Sequence, residues 1–212
     1  MTESIKKQLS PTYDGGIVRE LSHWGNTSKD FFATVGCSFT YGIGVDYKDS
    51  WSNVLAKMFG MEHVNIAFPG SSIEYQRDKL DLLIKLLPSV KFCVWMMTFP
   101  TRSHADDIKL SDEKRRMQDA IEWRDPQSLQ KIVEGYEMFQ QQNVLSTNVW
   151  FYPPDFTKIM KGRLKNSTKF YVNDHKPVDL GFTSHVGPQT HKIFAEKLYD
   201  YIKKFFPTWV SS

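Results

Sequence analysis

The sequence predicts an α/β domain: a mostly parallel sheet covered by helices on both faces. Two observations carry this. Three short runs, Phe31-Phe32-Ala33-Thr34-Val35-Gly36, His63-Val64-Asn65-Ile66-Ala67-Phe68 and Phe92 to Met97, have strand length. The first and third are apolar nearly throughout rather than in alternation, the pattern of strands buried on two sides. Segments with helical spacing separate the three runs. The resulting β-α-β-α-β order implies parallel strands, right-handed crossovers and helices on both faces.

The first 30 residues are polar and weakly periodic, with turn material from Pro11 to Gly16, and read as an arm or covering segment. Residues 31–212 read as a single domain. After the first strand, Ser50 is placed to cap a helix from Trp51 to Phe59. Trp51, Val54, Leu55, Met58 and Phe59 share one face of it, and Gly60 ends it. Pro69-Gly70 stops the second strand. Ser71 or Ser72 then caps a helix whose apolar positions are Leu80, Leu83, Ile84 and Leu87, with Pro88 as its stop. Beyond the third strand the chain is charged and helical, over 112–123 and 127–142. A fourth strand is expected over 148–152, broken by Pro153-Pro154, and a fifth over 169–172. Gly187-Pro188 opens a last helix, since proline at its start gives up an N–H that has no partner there. Ile193, Phe194, Leu198, Ile202 and Phe205 form its buried stripe, and Pro207 ends it. No internal repeat or low-complexity stretch divides the chain.

Of the 212 residues, 41% are hydrophobic and 24% charged, which excludes a disordered or collagen-like chain. The 27 basic and 24 acidic side chains leave a formal charge of +3. So mild an excess predicts neither a nucleic-acid partner nor a membrane surface. No apolar run approaches the roughly 20 residues of a spanning helix. The N-terminal residues, Met1 to Gln8, contain no apolar segment of signal-peptide type. The expected setting is cytoplasmic or virion-associated. Cys37 and Cys93 are expected as free, buried thiols. Neither His104-Ala105-Asp106-Asp107 nor Asp174-His175 forms a ligand set of recognisable spacing, so no metal is expected, and no cofactor.

In open parallel sheets, ligands bind just beyond the carboxyl ends of the strands. That rule selects Gly36-Cys37-Ser38-Phe39-Thr40-Tyr41-Gly42, Pro69-Gly70-Ser71-Ser72 and Thr98-Phe99-Pro100-Thr101-Arg102. The loop before the last helix, Ser184-His185-Val186-Gly187, is a fourth candidate. Nucleophilic catalysis by a hydroxyl needs a base within reach and donors where an oxyanion develops. Ser38 can supply the hydroxyl, His185 the base, and the backbone N–H groups of Ser38 and Gly70 the donors. Spacing alone does not bring residues 38 and 185 together.

Gly36-Cys37-Ser38-Phe39-Thr40-Tyr41-Gly42 resembles the first block, G-x-S-x-T-x-G, of the SGNH (GDSL-like) hydrolases. Asn65 to Ser72 is similar to their second block, and His185 to His191 with Phe194-Ala195 resembles their last. The blocks occur in the family's order and span residues 36–195. The resemblance implies a flavodoxin-like three-layer α/β/α sandwich with a mostly parallel sheet. It implies serine-dependent hydrolysis of esters, with acyl groups on carbohydrates, lipids or small molecules as substrates. Ser38 is carried over as nucleophile, His185 as general base and Gly70 as oxyanion donor. Cys37-Ser38-Phe39-Thr40 also resembles a subset encoded by bacteria and their phages.

Two positions depart from the family pattern. No asparagine follows the third strand, where Thr98 stands as a replacement donor. Phe182, not aspartate, lies three residues before His185, which leaves Asp179 as the acid to orient it, or a Ser–His dyad without one. Arg102 is a candidate for an anionic substrate group, and Tyr41 and Phe99 for pocket walls. Plainer roles exist for several of these: Ser38 and Gly70 as turn residues, His185 and Arg102 as solvated loop residues, His191 as structural. The expected activity is an acyl-esterase, with carbohydrate O-deacetylation as one form. The alternative is a non-catalytic binding or structural module on the same scaffold, for example in a phage particle. A flavodoxin-like nucleotide or flavin binder is a more distant third.

Overall fold

A computed structural model describes residues 1–9, 24–98, 143–148, 179 and 185–211. The strands are β1 (Phe31–Val35), β2 (Glu62–Asn65), β3 (Cys93–Met97) and β4 (Val144–Asn148). The helices are α1 (Glu3–Leu9), the single turn α2 (Ser38–Tyr41), α3 (Trp51–Phe59), α4 (Ile73–Leu86), α5 (Pro188–Phe205) and the short α6 (Pro207–Val210). All strand pairs are parallel, in the order β2-β1-β3-β4. The predicted α/β class with a parallel sheet is therefore the observed one.

Side chains alternate across the sheet and build two cores. Phe31, Ala33, Val35, Val64, Cys93, Trp95 and Met97 pack with Leu9 of α1 and with Ile73, Leu80 and Leu83 of α4. Phe32, Val94, Met96 and Leu145 face the other way, onto α3 and α5. Every residue of β1 and β3 is buried, which explains why these runs show no alternation. In the second core Phe32 stacks on Phe92 at 5.0 Å, and Trp51 meets Phe194 edge-on at 5.3 Å. Cys37 and Cys93 are free and buried as expected, and burial pushes the Cys93 thiol up to about 12.

Three expectations need correction. The fourth strand is Val144–Asn148 rather than 148–152. Its start carries the covered pair Val144 and Leu145, aligned with Cys93 and Val94. The aromatic run that follows has the stronger strand propensity, but pairing with β3 begins at Val144; residues 149–152 lie outside the described residues. Phe205 is 52% exposed rather than buried. The helix ends there, and Phe206 and Trp209 take over its packing, stacked on each other at 4.2 Å. Pro207 accordingly opens α6 rather than only ending α5. The second strand is shorter than predicted as an element, Glu62–Asn65, yet its ladder continues. Ile66 N–H donates to Thr34 O and Phe68 N–H to Gly36 O, both at 3.0 Å. The expected helices over 112–123 and 127–142 and the fifth strand over 169–172 lie outside the described residues.

The first 30 residues touch the sheet and its helices at both of their described ends. Leu9 is fully buried, Lys79 Nζ donates to Gln8 O at 2.8 Å, and Trp24 bridges antiparallel to Val64 at the sheet edge.

Candidate active site

The chain steps from β1 to β2 on one side of the sheet, then crosses to β3 on the other. The point where strand order reverses therefore lies between β1 and β3. A crevice at the carboxyl ends of those two strands is where such a sheet receives ligands. Ser38 follows β1 by three residues, and Thr98 directly follows β3.

Ser38 is the first residue of α2. Its N–H therefore has no intrahelical acceptor. Among the described residues neither this N–H nor the Ser38 hydroxyl has a hydrogen-bond partner, His185 included. α2 is held from beneath. Asn65 Nδ2 donates to Thr40 O at 2.9 Å, while Asn65 Oδ1 accepts from Ala67 N–H at 3.0 Å. Gly36 permits the close seating of this turn. A Cβ there would fall inside the Thr40 hydroxyl, 2.8 Å from Thr40 Cβ and 3.0 Å from Met96 O.

Gly70 is exposed and adopts φ +78°, in the left-handed region that glycine occupies without strain. Among the described residues nothing lies within 4 Å of the place a Cβ would take. The Gly70 N–H is likewise without an acceptor there. Thr98 is 2% exposed, and its hydroxyl is buried with no hydrogen-bond partner among the described residues. Three polar groups predicted as oxyanion donors thus follow three adjacent strands, without hydrogen-bond partners among the described residues. Tyr41 is half-buried in the same turn as Ser38. Arg102 and Phe99 lie outside the described residues.

His185 is half-buried, three residues before α5. The segments bearing Ser38 and His185 meet through aromatic packing. Phe39, next to Ser38, stacks on His191 at 4.3 Å and meets Phe194 edge-on at 5.6 Å. Both partners belong to the first turns of α5. Asp179 anchors the same loop. Its Oδ1 accepts from Thr190 N–H (2.9 Å) and Thr190 Oγ1 (2.8 Å), and its Oδ2 from Gln189 N–H (2.7 Å). Its backbone carbonyl accepts from Gly187 N–H at 3.1 Å. Burial alone would raise this carboxyl. The Gln189 N–H, the Thr190 hydroxyl and the Thr190 N–H outweigh burial and hold it below the usual carboxylate range. Asp179 thereby caps α5, satisfying N–H groups that a helix start leaves free.

His191 is fully buried and structural. Its Nδ1 accepts from Trp51 N–H at 3.0 Å, satisfying an orphan donor at the start of α3. Ser50 holds the N-cap position of α3 as expected, but its hydroxyl donates to Tyr47 O at 2.7 Å rather than accepting from the helix. No sequence pattern links positions 51 and 191, which are joined only by the packing of α3 on α5. Burial pushes His191 down to about 4 from an ordinary 6.5; the Asp179 charge opposes this and His185 adds to it. A folded-state value below the unfolded one means that the unfolded chain binds the proton first on acidification. Stability is therefore expected to fall between pH 6.5 and about 4, by up to about 1.4 kcal/mol per pH unit from this group. Urea titrations across that range check this. In His191→Asn, which keeps an acceptor and loses the titration, the curve flattens.

A cavity of about 400 Å³ runs beside the edge strand β2, lined by Trp24, Asn26, Tyr47, Asn53 and His63 among others. None of the candidate catalytic residues lines it. Among the described residues no three His, Cys, Asp or Glu side chains cluster as metal ligands, and no helix is long and apolar enough to cross a membrane.

No protein-family profile matches the chain, and no curated protein matches it. Solved structures do. An acetyl xylan esterase from the rumen bacterium Butyrivibrio proteoclasticus superposes with a TM-score of 0.53 at 12% identity, over 86% of this chain and 65% of that one. A carbohydrate esterase family 2 enzyme with a carbohydrate-binding domain, from Corynascus thermopiles (Myceliophthora fergusii), gives 0.55 at 12%, over 92% and 68%. A protein of Desulfitobacterium hafniense described as lipolytic and of the G-D-S-L family gives 0.50 at 14%, over 82% and 99%. The chain spans about two thirds of the length of the two carbohydrate esterases. At these identities the likeness is one of architecture: this chain has the α/β fold of these esterases.

Proposed function

We propose that the chain is a serine-dependent acyl-esterase acting on acyl groups carried by carbohydrate, with O-deacetylation as the reaction. One observation carries the reading. Ser38 opens a one-turn helix at the strand-order reversal, Gly70 turns in the left-handed region after the neighbouring strand, and among the described residues the Ser38 and Gly70 N–H groups have no acceptor. The carbohydrate esterases that share the fold support the substrate class.

In this mechanism Ser38 Oγ attacks the acyl carbonyl carbon as His185 takes the hydroxyl proton. The carbonyl π electrons move to oxygen, and the Ser38 and Gly70 N–H groups hold the oxyanion, with the Thr98 hydroxyl as third donor. Collapse breaks the bond to the sugar oxygen, which receives the proton from His185. Water then attacks the acyl-serine, again giving its proton to His185, and the carboxylic acid leaves as Ser38 recovers its hydroxyl. Hydrogen bonds of such pairs are often long in the free enzyme and shorten with substrate bound. Asp179 contributes by holding the His185 loop against α5. Tyr41, Phe99 and Arg102 stand as substrate contacts.

The test is intact-mass spectrometry after reaction with a fluorophosphonate. A single adduct on the wild-type protein that is absent from Ser38→Ala supports the reading. A folded wild-type protein that takes no adduct, or a Ser38→Ala variant that still does, counts against it.

A further inference from the structure

A buried chain of hydrogen bonds joins the loops that bear the two proposed oxyanion donors. Trp95 Nε1 donates to Gln76 Oε1 at 3.0 Å, Gln76 Nε2 donates to Ser71 Oγ at 2.9 Å, and Ser71 Oγ donates to Gly36 O at 3.1 Å. Trp95, Gln76 and Ser71 are 0%, 1% and 5% exposed. The chain runs in one direction only. An indole nitrogen can only donate, so the carbonyl of Gln76 must face Trp95 and its amide must face Ser71. That amide occupies the hydroxyl oxygen as a donor, so the hydroxyl proton is left for Gly36 O.

Gly36 O accepts a second hydrogen bond, from Phe68 N–H at 3.0 Å. Phe68 lies two residues before Gly70 and Ser71 one after it. The Gly70 turn is thus pinned on both sides to one carbonyl, which itself lies two residues before Ser38. Trp95 sits on β3 in register with Val35 of β1, so the chain begins on the rigid centre of the sheet. Gln76 also stands in the buried stripe of α4, between Ile73 and Leu80, where an apolar residue would pack at no polar cost.

Resting on the esterase reading above, we propose that Gln76 is a positioning residue. It orients the Ser71 hydroxyl, and so fixes the spacing between the Ser38 and Gly70 N–H groups that receive the oxyanion. Donors held at the right separation act on the transition state more than on bound substrate, so their loss appears in kcat.

The experiment measures kcat, KM and Tm for p-nitrophenyl acetate hydrolysis. The proteins are wild type, Gln76→Met, Ser71→Ala, Ser71→Thr and the Gln76→Met/Ser71→Ala double variant. Gln76→Met and Ser71→Ala are each expected to lower kcat by about 10-fold to 100-fold with KM within about twofold. The double variant is expected to be no slower than the worse single one, because both cut the same chain. Ser71→Thr, which keeps the hydroxyl, retains kcat. Unchanged kcat with lowered Tm, or kcat losses that multiply in the double variant, overturn the inference. Should Gln76→Met not fold, the Ser71→Ala and Ser71→Thr pair decides by the same criterion. A wild-type protein without Ser38-dependent turnover overturns the esterase reading itself. Ser38-dependent turnover that Gln76→Met and Ser71→Ala leave intact overturns this inference alone.

Discussion

Ser38→Ala is expected to lower kcat/KM for ester hydrolysis by about 10³-fold or more while leaving Tm within a few degrees of wild type. The stability half follows from the fold. The Ser38 hydroxyl has no hydrogen-bond partner among the described residues, so its removal strands no buried group. Nor is Ser38 the N-cap of its helix, a position held by Cys37. The kinetic half follows from the proposed chemistry, in which no other group can form the acyl intermediate. His185→Ala is expected to cost a similar factor. The double variant should be scarcely slower than either single one, since a nucleophile and its base act as a unit. Initial rates on a chromogenic acetate ester, with Tm by calorimetry, check all three. Independent, multiplying losses would separate His185 from Ser38 and dismiss the pair.

Gly36→Ala is expected to lower stability and turnover together. Its new Cβ would press on Thr40 Cβ at 2.8 Å and on the Met96 carbonyl at 3.0 Å, besides overlapping the Thr40 hydroxyl. Two of these obstacles are a β-carbon fixed to the backbone and a main-chain oxygen of the central sheet, so neither yields by a rotamer change. The one-turn helix must lift away from β3, at a cost of about 1–3 kcal/mol. For a chain of this size that corresponds to a Tm lower by roughly 2–4 °C per kcal/mol. Because the same helix carries Ser38, turnover is expected to fall with stability. Adding Thr40→Ala removes the hydroxyl, which is buried without a partner among the described residues, and leaves the other two contacts. The double variant should therefore recover part of the loss. A Gly36→Ala protein with wild-type Tm would show that the turn has slack to accommodate the methyl group.

Much of the architecture was legible in the chain because its signals are local. Continuous apolar runs marked β1 and β3, Gly60 marked the end of α3, and Gly187-Pro188 marked the start of α5. Ser72, one of two serines named as the α4 cap, accepts from Tyr75 N–H at 3.2 Å as a cap should. Ser38, Gly70 and His185 were legible as candidates because short polar segments follow apolar strands at the edge where parallel sheets bind ligands.

The order of strands and helices, and the polar segments that end them, are written in local signals. Period, capping residues and chain breakers act within a few positions, so they can be read there. Which of those segments meet is set by packing in three dimensions. His191 serves α3 across 140 positions, Asp179 closes on the start of α5, and Trp95, Gln76, Ser71 and Gly36 form one hydrogen-bond chain from three parts of the sequence. Each of these exists because burial obliges a polar group to find a partner, and the partner is chosen by packing rather than by distance along the chain.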